Sequence, residues 1–179
     1  MLTSVKNPED GILERCVFAS GDRHTYIVAD AYDGERIRDA TVMFLESAAG
    51  RNGGIVEHGS DRIRFRGDAD LVCYVGHDGL MDFSIDKYPE KKKERIDLII
   101  FACYSKKYFS EAVRVGGGRP LLWTTNLFCP EAYTLEAAIA GWIRNESTER
   151  IHMRAARAYA KYQKCGVNAA ARLIVTGRE

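Results

Sequence analysis

Three short, largely apolar runs constrain the fold of this chain more than any other feature. They cover residues 71–75, 96–102 and 120–125. Apolar and polar side chains do not alternate along them, and runs of this kind are typical of strands covered on both faces, as in a parallel sheet. Helical spacing separates and follows the runs. The pattern predicts an α/β fold, a three-layer αβα sandwich with a mainly parallel sheet and Ala-rich helices at the C-terminus.

The rest of the chain is divided by composition and by the spacing of apolar residues. Residues 1–15 are polar and are predicted to be a flexible segment, whereas residues 16–179 are predicted to form a single α/β domain. Glycine-rich polar sequence predicts a loop or hairpin over 53–70. Apolar residues at three- and four-residue intervals predict helices over 37–48, 104–113, 130–143 and 147–164, and a short one from Asn168.

Bulk composition excludes several classes of function. The 26 Lys and Arg residues nearly balance the 25 Asp and Glu residues, so there is no global field to attract nucleic acid or acidic membranes. No stretch approaches the ~20 apolar residues of a membrane span. The N-terminus lacks a secretory signal, so we expect a cytoplasmic protein unless an export signal precedes the sequence given. The five cysteines lack CxxC spacing, which indicates free thiols.

Reactive side chains follow two of the apolar runs. His77 and Asp78 come just after residues 71–75, and Cys103 comes just after residues 96–102. Functional groups gather beyond the carboxyl ends of strands in a parallel sheet. If these two strands are neighbours, the histidine and the cysteine leave the same edge of the sheet.

This pair has the residue types of a cysteine nucleophile and its base. The thiolate is the reactive form of cysteine, and a nearby imidazole and a helix start just after Cys103 would both favour it. Backbone N–H groups would have to stabilise the oxyanion that develops on attack, and we expect them from Gly79 and Cys103. From the residues alone, a buried structural cysteine and a structural histidine remain open alternatives.

The sequence around both residues resembles a known family. The segments Gly-His-Asp-Gly at 76–79 and Phe-Ala-Cys-Tyr-Ser at 101–105 resemble the His-Gly and Ala-Cys signature of caspase-like cysteine peptidases, the group of caspases, metacaspases, gingipains and legumains. The resemblance covers residues 26–143. Residues 123–133 also resemble a stretch of uncharacterised bacterial caspase-like proteins. The sequence departs from the signature at Asp78, which separates His77 from Gly79.

The resemblance implies a function and its residues. His77 would be the general acid/base and Cys103 the nucleophile of a peptide-bond hydrolase, with the Gly79 and Cys103 amides as the oxyanion hole. No cofactor is expected, and the partner would be a peptide or protein substrate. We expect Asp78 and Asp82, just after the histidine, to bind substrate and to favour basic side chains, although Lys106 and Lys107 after Cys103 point the other way.

Other functions are weaker alternatives. A zinc site would need His77, Cys103 and Cys129 to converge, and it lacks the close ligand pair that zinc sites usually have. The main rival is a caspase-like binding or scaffold protein without catalytic activity. Homo-oligomerisation through the C-terminal helices is a further expectation that the sequence leaves open.

Overall fold

The structure is a computed structural model that describes residues 3–22, 24–92 and 96–177. It begins with a three-stranded antiparallel sheet of β1 (Thr3–Glu9), β2 (Ile12–Ala19) and β3 (Tyr26–Tyr32), in the order β1-β2-β3. Residues 3–15, predicted to belong to a flexible segment, thus form β1, a turn and the first part of β2. This part of the chain is polar because most of β1 is exposed, while pairing with β2 satisfies its backbone groups.

A helix and a hairpin connect this sheet to the rest of the molecule. Helix α1 (Ile37–Ala48) has the predicted bounds, and its apolar residues Phe44, Leu45 and Ala48 are buried. The glycine-rich stretch that follows forms the antiparallel hairpin of β4 (Gly54–His58) and β5 (Asp61–Phe65), one of the two conformations expected for it.

A four-stranded sheet contains the three apolar runs. It has the order β6-β7-β8-β9, with β6 (Leu71–Val75), β7 (Asp97–Phe101), β8 (Arg119–Thr124) and β9 (Ile174–Thr176). Strands β6, β7 and β8 are parallel, and β9 pairs antiparallel with β8. All five residues of β7 are buried, as predicted from a run without alternation.

Helices pack on both faces of this sheet. On one face, α1 and α2 (Ser105–Gly116) bury a cluster that contains Phe44 and Phe109 against alternate residues of β7. On the other face, α3 (Ala132–Ile143), α4 (Thr148–Gln163) and α5 (Val167–Leu173) cover the remaining residues of β7 and β8. Ala155 and Ala156 of α4 have no exposed surface, so the Ala-rich helix lies close to the sheet.

The α/β class is confirmed, but the prediction of a mainly parallel sheet needs correction. Only two strand pairings, β6–β7 and β7–β8, are parallel, and the other four within the described residues are antiparallel. The N-terminal strands and β9 account for the difference. Their segments are short or largely polar, and nothing in their local sequence indicates the strands with which they pair.

Two further boundaries differ from expectation. Helix α3 begins at Ala132 with Glu131 as its N-cap, so Pro130 precedes the helix instead of occupying its first turn. Helix α2 continues to Gly116, and Gly117 ends it in the left-handed conformation at φ 71°, which a glycine adopts without the steric cost of a Cβ. Within the described residues, no helix is both long and apolar enough to cross a membrane.

Candidate active site

The register of two parallel strands places His77 and Cys103 at equivalent positions. Val75 at the end of β6 pairs with Phe101 at the end of β7, and each candidate residue follows two positions later. The Gly76 amide also donates to the Phe101 carbonyl at 3.2 Å, which extends the pairing one residue past β6. The predicted strands are therefore neighbours, and the histidine and the cysteine leave the same edge of the sheet.

His77 is held at both its backbone and its ring. The buried Tyr74 hydroxyl donates to the His77 carbonyl at 2.6 Å, which fixes the start of the loop against the sheet. The imidazole Nε2 lies 2.6 Å from Oδ2 of Asp82, and both side chains are more than half exposed. The sequence analysis expected Asp82 to bind substrate and missed its contact with His77. A spacing of five residues does not by itself predict a contact between two side chains. The contact depends on the 3-10 turn between them.

That turn is set by Asp78. Its Oδ1 accepts from the Leu80 amide at 3.0 Å and caps a 3-10 turn over Gly79–Met81, after which Asp82 returns towards His77. Asp78 has no exposed surface, and its Oδ2 has no hydrogen-bond partner. Burial raises the pKa of Asp78 to about 6, and the nearby His77 opposes part of that rise. Asp78, expected to bind substrate, thus has no surface exposed to solvent in this conformation.

Gly79 is buried at the start of the same turn. Burial raises the pKa of Tyr74, and interactions of its hydroxyl with Thr41 and with the Gly79 backbone oppose part of that rise. The Gly79 amide thus lies on the Tyr74 side of the turn. The Cys103 amide forms no hydrogen bond within the part of the chain that the structure describes, and it remains the available donor.

Cys103 is half-buried, and its thiol contacts the backbone of Phe128. The Phe128 amide donates to its Sγ at 3.4 Å, and the thiol lies 3.7 Å from the Phe128 carbonyl oxygen. Phe128 itself is fixed by ring contacts with Phe101 at 5.3 Å and Tyr159 at 4.7 Å. The Phe128 amide and carbonyl thus hold the Cys103 thiol in a fixed position.

The turn between β7 and α2 holds the cysteine in place. Tyr104 has a left-handed conformation at φ 50°, and its amide donates to the Asn126 carbonyl at 2.9 Å. Ser105 is fully buried, and its hydroxyl donates to the Ile100 carbonyl at 2.7 Å and accepts from the Thr124 amide at 2.9 Å. These bonds tie the turn to β8.

The structure brings the two candidate catalytic residues to one edge but does not join them. The His77 ring pairs with Asp82, while the Cys103 thiol contacts Phe128, and no hydrogen bond connects imidazole and thiol. Catalytic hydrogen bonds are often absent or long before substrate binds. The arrangement thus places an imidazole and a thiol at equivalent strand-end positions, and a side-chain rotation would be needed to bring them into contact.

A shallow cavity adjoins the Cys103 turn. Its volume is about 300 Å³, and it lies between the segment after β8 and helix α5. Asn126, whose carbonyl binds the residue after Cys103, is part of its wall. The lining residues are Thr125, Asn126, Leu127, Ala169, Arg172 and Leu173.

The structure offers no support for the zinc alternative. Within residues 3–22, 24–92 and 96–177, no group of three or more His, Cys, Asp or Glu side chains is placed to hold a metal ion. Cys129 is exposed, and its amide lies 3.4 Å from the Tyr159 hydroxyl.

Comparisons with protein-family models, with curated proteins and with solved structures found no match to this chain.

Proposed function

We propose that the protein is a cysteine-dependent hydrolase of peptide bonds that uses His77 and Cys103 on a caspase-like, three-layer α/β scaffold. The observation that carries this proposal is the register of β6 and β7. It sets an imidazole and a thiol two residues beyond the paired residues Val75 and Phe101, on adjacent parallel strands. The carboxyl edge of such a sheet is where α/β proteins usually bind their ligands.

The proposed reaction has two steps. The Cys103 thiolate attacks the carbonyl carbon of the substrate, and the Cys103 amide donates to the oxygen on which negative charge develops. His77, protonated by the thiol, gives that proton to the leaving amine as the C–N bond breaks, which leaves a thioester on Cys103. Water, deprotonated by His77, then attacks the thioester and releases the acid and the thiol.

The cavity beside the Cys103 turn is the proposed place for the substrate chain. A peptide there would pass Asn126, whose carbonyl accepts from the amide of Tyr104, the residue after Cys103. Asp78 is buried and Asp82 contacts His77, so a preference for basic substrates is not part of this proposal. A reducing, cytoplasmic location belongs to the proposal because Cys103 must remain a free thiol, and all five cysteines are free.

The rate of iodoacetamide alkylation at each cysteine, measured by peptide mass spectrometry against pH, tests this proposal. Exposed Cys129 and Cys165 provide ordinary thiols in the same sample. Burial raises the pKa of Cys73 to about 12, so this residue serves as the unreactive reference. We expect Cys103 to react about tenfold faster than the exposed thiols below pH 7 and to lose that advantage in His77→Ala.

One observation favours a second candidate, a binding or scaffold protein without catalysis. The thiol and the imidazole each have another partner in this conformation, as inert side chains would. If Cys103 reacts more slowly than Cys129 at every pH and His77→Ala changes nothing, the hydrolase proposal is wrong and the scaffold function stands. The wild type and His77→Ala should have the same unfolding midpoint, which ensures that the comparison concerns reactivity.

A further inference from the structure

The contact between Asp82 and His77 determines which ring nitrogen is available to the thiol. A carboxylate only accepts hydrogen bonds, so the imidazole Nε2, 2.6 Å from Asp82 Oδ2, carries a proton. In the neutral ring, Nδ1 is then the basic nitrogen. Asp82 therefore leaves Nδ1 as the ring atom that can accept a proton.

The backbone holds Asp82 in this place. Its amide donates to the Gly79 carbonyl at 3.0 Å, at the end of the 3-10 turn that Asp78 caps. The N-cap of the turn, Asp78, directly follows His77, and its C-cap is Asp82. The two side chains are therefore joined by a short, hydrogen-bonded segment. A carboxylate on such a segment orients the ring without having to order a long loop first.

The charge of Asp82 matters once the proton has moved. When Cys103 gives its proton to His77, the ring becomes an imidazolium, and an adjacent carboxylate stabilises that cation. Two acidic groups within the described residues act on His77, namely Asp82 through the direct contact and Asp78 at longer range. Of these two groups, Asp82 is the one in contact with the ring.

We propose that Asp82 is a positioning residue that holds the His77 imidazole with its proton on Nε2 and Nδ1 as its proton acceptor, and that stabilises the imidazolium formed when Cys103 gives up its proton. This inference rests on the proposed function, because it needs His77 to act on Cys103. It replaces the substrate-binding role expected for Asp82 from the sequence.

The test compares the pH profile of Cys103 alkylation in the wild type, Asp82→Asn, Asp82→Glu and His77→Ala. Loss of the carboxylate makes the thiolate–imidazolium pair less stable, so the thiolate forms at higher pH. We expect Asp82→Asn to raise the pH midpoint of Cys103 alkylation by about one unit and to slow the reaction about tenfold near pH 6. Asp82→Glu, which retains the carboxylate, should stay within about threefold of the wild type.

The matched control is Asp86→Asn, which removes the same charge from an exposed position in the same loop. It should leave the profile of Cys103 unchanged. The rates at Cys129 and Cys165 should not change in any variant, since a general effect on folding or on the reagent would move them as well.

Three results would overturn the inference, and they separate it from the proposed function. If His77→Ala slows Cys103 but the profile of Asp82→Asn coincides with that of the wild type, Asp82 has no positioning role and the dyad stands. If Asp82→Asn makes Cys103 faster, Asp82 holds the ring away from the thiol. If His77→Ala has no effect, the proposed function fails and this inference fails with it.

Discussion

Asp78 is a carboxyl group that is buried at the candidate site. It has no exposed surface, one of its oxygens lacks a partner, and its pKa is raised from 3.8 to about 6. Burial disfavours the charged form of a carboxyl group, so the folded protein binds a proton at Asp78 more tightly than the unfolded chain does. This one group therefore opposes folding at neutral pH.

The sign of that effect defines a prediction for Asp78→Asn. The raised pKa means that the stability contributed by Asp78 is greatest below about pH 4 and falls as the pH rises to about 6. A neutral amide keeps an oxygen for the Leu80 amide and avoids the buried charge. We expect Asp78→Asn to be more stable than the wild type by about 1–3 kcal/mol at pH 8 and nearly equal to it at pH 4.

Urea unfolding at both pH values measures this difference, with the exposed Asp86→Asn as the control that should show none. A variant that is less stable than the wild type at pH 8 would show that the ionised carboxylate contributes favourably where it lies. The pKa of Asp78 would then not be raised in the folded protein.

At the scale of elements, the turn from β7 into α2 is the part of the fold that supports Cys103. Its hydrogen bonds run between Ser105 and Thr124, 19 residues apart in the chain and both fully buried. They join the start of the helix to the end of the next strand. The position of the nucleophile thus depends on β8 as well as on its own strand.

Ser105→Ala tests this support. The change leaves the Ile100 carbonyl and the Thr124 amide without their buried partner, and an unsatisfied buried group costs about 1–3 kcal/mol. We expect a loss of that size in the free energy of unfolding, measured by urea titration. Ser110→Ala on the same helix removes a hydroxyl that bonds within the helix and should cost less than about 0.5 kcal/mol. Equal losses in both variants would contradict the role given to the turn.

At the scale of the whole molecule, a cluster of charges connects the N-terminal sheet to the hairpin. Arg15 of β2 forms a two-bond ion pair with Asp30 of β3, and Arg66 after β5 contacts Asp30 and Glu9. The two guanidinium groups lie 4.7 Å and 4.9 Å from the centre of the Phe65 ring. Arg15, Asp30 and Arg66 are each at least 85% buried at the side chain, so this cluster is an internal contact between the two sheets.

Asp30→Ala tests whether the cluster holds the two parts together. Its removal leaves Glu9 as the carboxylate that still pairs with the two largely buried guanidinium groups, and breaking a buried pair in this way typically costs about 3–5 kcal/mol. We expect a loss of about 2–4 kcal/mol in the free energy of unfolding, since the remaining pairs to Glu9 compensate in part. The exposed pair of Glu57 and Arg62 provides the control, and Glu57→Ala should change stability by less than about 0.5 kcal/mol. Similar small changes in both variants would mean that the N-terminal sheet is held by other contacts.

The sequence by itself determined the elements that carry a local signal. The apolar runs that became β6, β7 and β8 were located within one or two residues, and the spacing in α1 and α4 gave their bounds almost completely. It also placed His77 and Cys103 at strand ends, because a strand covered on both faces is recognisable from its own residues. The polar Asp97 within the second run fits the same strand only because Arg119 and the Trp142 ring bind it.

Tertiary structure alone decided the features that depend on residues far apart in the chain. The pairing of β1 with β2, the antiparallel addition of β9 and the partners of Asp82 and Cys103 have no local signature, because each depends on which distant segment packs nearby. The burial of Asp78 was also decided by tertiary structure, because its sequence context resembles that of an exposed loop carboxylate. Strand order and side-chain partners result from packing of the whole chain, whereas apolar periodicity reports only whether a segment is covered.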